Sequence, residues 1–200
     1  MTVEPTTEER ILAAARNVFT QKGMAGARMQ EVADEAGINK ALLHYYFRSK
    51  QQLFEGVFKG SAERQLGCVW KVLEEATDLF SGIEGFVATY LERMLEEPLL
   101  PQFIIAELNR DPKNLLDFID RGKVGRAHYL KLFEEARAAG MIIDIDPREL
   151  LVNIMALCAH PFVARPMLTH IHGMNDDAFR RMIHKRRKSV PEFIIRSIRS

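Results

Sequence analysis

Apolar residues recur at three- and four-residue intervals along most of the chain, which is the spacing of an amphipathic helix. Ile11, Leu12, Ala15, Val18 and Phe19 form the first such stripe. Comparable stripes follow, separated by glycines, prolines and capping side chains. The apolar run at 141–144 could imitate a strand, but it has no evident partner, so we assign it to a connector. The pattern predicts an all-α fold of about nine helices and no sheet.

Several helix starts carry a capping box, in which a side chain and the one three residues later each bond the other's backbone. The predicted boxes are Thr6 with Glu9, Ser49 with Gln52, and Ser81 with Glu84. The same start and stop signals predict long helices over 112–139, 147–164 and 175–198. Because proline cannot donate a helical hydrogen bond, we expect a bend at Pro161 and a kink or break near Pro191.

Two short predicted helices follow the first one and define the chain's most informative segment. They cover about 29–36 and 39–47, and Gly37 supplies the turn between them. This is the arrangement of a helix-turn-helix, whose second helix enters the major groove of DNA. Leu43 and Phe47 lie on the predicted buried side of that second helix. Residues 37–50 contain three cations and no carboxylate, which is the local charge that a phosphate-facing surface requires.

The segment from 11 to 58 resembles the TetR family of bacterial regulators. The resemblance is sharpest in the run EVADEAGINKALLHYYFRSK, residues 31–50. It implies a three-helix DNA-binding domain over 1–50 and a six-helix ligand-binding and dimerisation domain over 51–200. It further implies a homodimer that binds a double-stranded DNA operator and represses transcription until a small-molecule effector of unknown identity releases it. A cytoplasmic location is expected because the two cysteines, Cys68 and Cys158, are isolated and suggest no disulfide framework.

The resemblance and the basic face together predict the DNA-contacting residues. Tyr45 and Lys50 are expected on phosphate, whereas Lys40, Ala41, Leu42 and His44 are expected near base edges. The complete predicted set is Arg28, Gln30, Asn39, Lys40, Ala41, Leu42, His44, Tyr45, Arg48 and Lys50. For Tyr46, partial burial is favoured over a DNA contact.

The sequence departs from the usual family pattern inside this same segment. Ala27 and Arg28 replace common hydroxyl residues, so Arg28 would have to reach phosphate as a cation. Ala41 and Leu42 replace a common Gly-Thr pair, so they can contact a thymine methyl but cannot donate a hydrogen bond. His44 and Tyr46 are also unusual. The operator sequence is therefore expected to differ from those of relatives.

The body of the chain offers a dimer interface and a pocket by analogy with the family. The helices predicted over 147–164 and 175–198 are expected to form a four-helix bundle with those of a second copy. A pocket is expected to be lined by aromatic, sulfur-containing and polar residues of the middle helices: Phe86, Tyr90, Met94, Phe103, Glu107, His128 and Phe162. Such residues at helical spacing also occur as plain core.

Composition and motifs bear on the alternatives. The chain is 47% hydrophobic and 28% charged with a net charge of +1, as in ordinary globular proteins. No apolar run approaches the ~18 residues of a membrane span. Catalytic and metal-binding motifs are not apparent, so we expect no enzyme activity, catalytic residue, cofactor, metal or membrane contact. The alternatives are a helical protein-interaction module and a transcription activator without a small-molecule effector.

Overall fold

The computed structural model describes residues 4–110 and 123–200, and within these ranges the chain is all-helical, as the sequence predicts. Ten helices and one isolated β-bridge, between Ile142 and Arg199, lie in the described part. The helices are α1 (Thr7–Gly26), α2 (Met29–Ala36), α3 (Lys40–Tyr46), α4 (Lys50–Glu75), α5 (Leu79–Glu96), α6 (Leu100–Arg110), α7 (Lys123–Ala138), α8 (Pro147–Val163), α9 (Arg165–Ile171) and α10 (Asp176–Ile198).

The chain forms two compact units, Met1–Ala62 and Glu63–Ser200. The predicted domain boundary at residue 50 coincides with the start of α4, which continues through the division between the units. In the first unit α1 packs against α2, and α2 against α3. Its core includes Ile11, Phe19, Leu43 and Phe54, and the Phe19 ring meets the Phe54 ring edge-on at 5.0 Å.

Capping side chains fix the helix starts of this unit where the sequence predicts them. The Thr6 hydroxyl accepts from the Glu9 backbone N–H, and the Glu9 carboxylate accepts from the Thr6 backbone N–H at 2.7 Å. The Ser49 hydroxyl accepts from the Gln52 backbone N–H at 3.1 Å. Gly23 has non-helical dihedral angles that interrupt α1, and a short continuation reaches Gly26.

In the second unit α5 is the central helix. It packs against α10, α8 and α7, and apolar side chains are buried around much of its circumference. Fully enclosed residues such as Ile83, Leu91 and Met94 explain why this helix lacks a broad polar face. A helix that is apolar on several sides is stable only when neighbours cover each side.

Three predicted boundaries differ in the structure. The fifth helix begins at Leu79 rather than Ser81, because Asp78 is its N-cap and accepts from the Ser81 backbone N–H at 2.9 Å. The chain does not simply bend at Pro161. Instead, α8 ends at Val163 and a further short helix, α9, follows at an angle of 69°. By contrast, α10 continues through Pro191 as one helix. The first part of the helix predicted over 112–139 lies outside the described residues.

The connector after α7 pairs with the end of the chain. The Ile143 backbone N–H donates to the Ile198 carbonyl at 2.8 Å, and the Ser200 N–H donates to the Met141 carbonyl at 3.3 Å. This pairing accounts for the strand-like composition of 141–144. Among the described residues, no single helix is both long and apolar enough for a membrane span, although the bent pair α8 and α9 meets the length and composition criteria together.

The two cysteines of the second unit are expected to differ in reactivity. Cys158 is fully buried, and burial raises its pKa to about 12, whereas Cys68 is partly exposed. Since the thiolate is the reactive form, an aromatic disulfide reagent at neutral pH should label one thiol rapidly and Cys158 only when the protein unfolds. The variant Cys68→Ser should therefore show no rapid phase. Rapid labelling of that variant would contradict the packing around Cys158.

Candidate nucleic-acid interface

Helix α3 is short, and its placement depends on its two ends and one buried side chain. The Asn39 side-chain oxygen accepts from the Leu42 backbone N–H at 2.8 Å, which begins the helix. Leu43 is completely buried, and Phe47, just after the helix, is nearly so. A Cβ atom on Gly56 of α4 would lie only 3.0 Å from the Phe47 ring, so the absence of a side chain there lets the ring pack closely.

The turn before α3 has the geometry that the sequence predicts. Gly37 has a φ of 66°, in the left-handed region that favours glycine, and it ends α2. Its backbone N–H bonds the Asp34 carbonyl, and the Ile38 N–H bonds the Ala33 carbonyl. The guanidinium of Arg10, from α1, donates to the Ala36 carbonyl at 2.7 Å. The turn is therefore held both by its own backbone and by a charge from another helix.

Nearly all of the predicted DNA-contacting residues are exposed. The exposed residues are Arg28, Gln30, Asn39, Lys40, Ala41, Leu42, His44, Tyr45 and Arg48, and the tenth, Lys50, is half-buried. Those of α3 lie on the surface opposite Leu43. Tyr45 is 80% exposed and Tyr46 39% exposed, with the two rings edge-to-face at 5.5 Å. Tyr46 is therefore less exposed than Tyr45 but is not buried, and the preference for burial over a DNA contact stays a prediction.

The start of α2 places Arg28 at the edge of this surface. Arg28 supplies no side-chain cap, consistent with the missing hydroxyl noted in the sequence. Instead, the Glu31 carboxylate accepts from the Arg28 backbone N–H at 3.1 Å and from the Lys22 ammonium at 2.8 Å. The hydrogen bond from Lys22, and then that from Arg28, hold the pKa of Glu31 below its usual value. Glu31 thus supplies the half of a capping box that does not require the absent hydroxyl.

Lys50 makes contacts that sequence reasoning does not anticipate. Its ammonium donates to the Ala27 carbonyl at 3.0 Å and to the Ala25 carbonyl at 3.3 Å. Ala25 lies in the short continuation of α1 after Gly23, and Ala27 follows the last residue of α1, which has no basic residue in its own last turn. Arg16 makes a similar long-range contact, donating to the buried Ser61 hydroxyl at 2.8 Å. The charged pattern of the sequence locates these cations, but only the fold shows which carbonyls they reach.

The residues predicted for a ligand pocket lie in the interior of the second unit. Phe86, Tyr90, Met94, Phe103 and Phe162 are all buried, and the first two rings stack at 6.1 Å. Burial raises the pKa of Tyr90. His128 is half-buried, and its Nε2 bonds the Ala76 carbonyl at 2.8 Å. The side chain of Glu107 lies outside the described residues. Their role as pocket residues stays a prediction.

Substitutions at the neighbouring residues Leu43 and Leu42 distinguish the buried support of α3 from its exposed surface. Leu43→Ala should lower the free energy of unfolding by about 3 kcal/mol, because it leaves a cavity where a leucine was fully buried. Leu42→Ala should lower it by less than about 1 kcal/mol, because Leu42 is 37% exposed. Urea unfolding of both variants measures the difference. Equal losses would show that Leu43 does not anchor the helix.

Comparison with known proteins agrees with this arrangement. Residues 11–57 match the family described as bacterial regulatory proteins, tetR family. The chain is 26% identical to the HTH-type transcriptional regulator RutR of Escherichia coli (strain K12), over 96% of this chain and 90% of that one. It is also 26% identical to the HTH-type transcriptional repressor KstR2 of Mycolicibacterium smegmatis, over 69% and 70% of the two chains.

A solved structure extends the likeness to the whole fold. The ketosteroid transcriptional regulator KstR2 of Mycobacterium tuberculosis superposes with a TM-score of 0.68, covering 100% of this chain and 97% of that one, at 14% sequence identity. At this low sequence identity, the superposition supports a shared fold and nothing more. The helix-turn-helix geometry agrees with the match of residues 11–57 to the tetR family of bacterial regulatory proteins, and the rest of the chain is similar in sequence and fold to regulators of that kind.

Proposed function

We propose that this protein is a sequence-specific DNA-binding transcription repressor that a small molecule releases from its operator. The observation that carries the proposal is the exposed, carboxylate-free surface of α3, mounted on buried Leu43 in a helix-turn-helix. The match of residues 11–57 to the tetR family and the similarity of the chain to transcriptional regulators support it. The protein acts in the cytoplasm without catalytic chemistry of its own.

In this proposal α3 lies in the major groove of the operator. Lys40 and His44 can bond base edges, while Ala41 and Leu42 offer apolar contact to thymine methyl groups. Tyr45, Arg48 and Arg28 are exposed at the rim and contact phosphate, where they fix register and orientation. Asn39 begins α3, and its amide oxygen is occupied by the Leu42 N–H, so only its amide NH2 faces the DNA.

The proposed homodimer uses the surface shared by α8 and α10. Val152 on α8 is 65% exposed and Phe193 on α10 is 64% exposed, which is unusual for large apolar side chains. Phe193 also lines a cavity of about 330 Å³, together with residues that include Asn153, Ala156 and Ser197. In a two-fold dimer the same patch occurs on both copies, so a protruding ring and an adjacent cavity are self-complementary.

The proposed release follows from the continuity of α4. This helix begins in the first unit and ends in the second, so a ligand that displaces residues 63–75 also acts on residues 50–62. A ligand that binds one conformation of the second unit more tightly shifts the population toward it. DNA affinity then falls if that conformation alters the separation of the two α3 helices in the dimer. The predicted interior residues, from Phe86 to Phe162, form the proposed ligand site.

Selection of binding sites from random DNA tests the proposal. We expect a two-fold symmetric site whose half-sites lie about 34 Å apart, competed by the same site but not by unrelated DNA. Screening small molecules against the selected complex then tests release. Failure to enrich any sequence would exclude a sequence-specific regulator and favour a protein-interaction module. An enriched site that no compound releases would favour a regulator without an effector.

Phe193→Glu should dissociate the dimer, because a carboxylate would be buried without a partner at the interface. We expect its dimer dissociation constant, measured by sedimentation velocity over a range of concentrations, to rise at least about tenfold. Val124→Glu is the matched control, because Val124 is 65% exposed on α7, outside the proposed interface. Sedimentation of Phe193→Glu like the control would place the interface elsewhere.

A further inference from the structure

Lys50 stands at an electrostatically unfavourable place in its own helix. It is the first residue of α4, where the helix presents unpaired N–H groups and the positive end of its dipole. A cation there is repelled by the helix that carries it, and α4 has no acidic residue in its first turn to offset this. Another group must therefore supply the stabilisation that keeps the ammonium in position.

The end of α1 supplies that stabilisation. The Lys50 ammonium donates at 3.3 Å to the carbonyl of Ala25, in the short continuation of α1 after Gly23, and at 3.0 Å to the carbonyl of Ala27, just after α1. Ala27 itself is buried, so its backbone is fixed against the core. Hydrogen bonds from a charged donor are about twice as strong as neutral ones. Lys50 thus joins the start of α4 to the corner between α1 and α2.

This corner sets the position of Arg28 and of the first turn of α2. The other tie at the corner is the Lys22–Glu31 ion pair, whose side chains are 46% and 32% exposed. Such exposed pairs contribute little to stability. The part-buried hydrogen bond from Lys50 to the Ala27 carbonyl is therefore the stronger restraint. Without it, Arg28 and the start of α2 would be held chiefly by the Glu31 cap.

We propose that Lys50 is a positioning residue, whose bonds to the Ala25 and Ala27 carbonyls hold Arg28 and α2 in register with α3 for DNA binding. An ammonium has three N–H donors and two are used here, so the third can contact phosphate as the sequence suggests. The positioning role exists before DNA binds and is separate from that phosphate contact. It rests on the proposed function only in that the surface it aligns is the DNA-binding surface.

Amide hydrogen exchange of the free protein tests directly whether the Lys50 bonds to the Ala25 and Ala27 carbonyls restrain the backbone. Lys50→Met should speed exchange of backbone amides in 25–32 by about tenfold, which corresponds to losing one charged hydrogen bond. Lys50→Arg should restore protection, because a guanidinium can reach the same carbonyls. Lys40→Met, which removes an exposed cation from α3, should leave exchange in 25–32 unchanged. Equal exchange in Lys50→Met and wild type would overturn the proposal.

Measurements of DNA affinity distinguish a positioning role of Lys50 from the effect of its charge alone. On the selected site, Lys50→Met and Arg48→Met should each lower the slope of log affinity against log salt concentration by about one, the loss of one phosphate contact. At high salt, where the phosphate term is small, Lys50→Met should still bind about tenfold more weakly than Arg48→Met. Equal affinities of the two variants at high salt would mean that Lys50 acts only as a phosphate contact. If the wild type selects no DNA site, the proposed function is wrong. The exchange result still decides whether Lys50 restrains residues 25–32.

Discussion

Cations that reach across to the carbonyl ends of other helices hold the first unit in its binding geometry. Neither α1 nor α2 carries a basic residue in its own last turn. Lys50 covers the end of α1, and Arg10 covers the Ala36 carbonyl at the end of α2. Each bond places a charged donor on a backbone carbonyl at the end of a helix or just beyond it.

Charge also shapes how two copies can meet. Residues 180–188 of α10 include six lysines and arginines and no carboxylate. Arg186 is bonded to the Leu157 carbonyl and Arg187 to Glu92, whereas Arg180, Arg181, Lys185 and Lys188 are exposed. In the proposed two-fold dimer these exposed cations would repel their counterparts if they faced each other. The partner would therefore pack on the apolar half of α10, around Phe193, and leave the basic half in water.

Most of the fold could be predicted from local signals. Apolar periodicity and the caps at Thr6, Asn39 and Asn175 place the helices because they act over three or four residues. The start of α5 was misplaced because Asp78 and Ser81 both have capping side chains, and the sequence does not show which one lies outside the helix. The sequence does not predict the additional helix α9, because no glycine marks the break between α8 and α9 at Ala164.

The candidate site shows the same division. The exposed side of α3 follows from its periodicity and from Leu43, so the surface residues could be named in advance. The support beneath it could not, because the contacts of Arg10, Arg16 and Lys50 join residues 23 to 45 positions apart. A cation in a sequence has no visible partner until the chain has folded. Sequence therefore predicts the surface better than the framework that orients it.

The division between a buried anchor and an exposed surface makes α3 suited to redesign. Lys40, Ala41, Leu42 and His44 are all exposed, and none of their side chains has a hydrogen bond or ion pair described in this structure. A combinatorial library at these four positions would change the chemistry offered to DNA without disturbing Leu43 or the cross-helix ties. The same scaffold could then yield a set of mutually orthogonal DNA-binding proteins for engineered gene circuits.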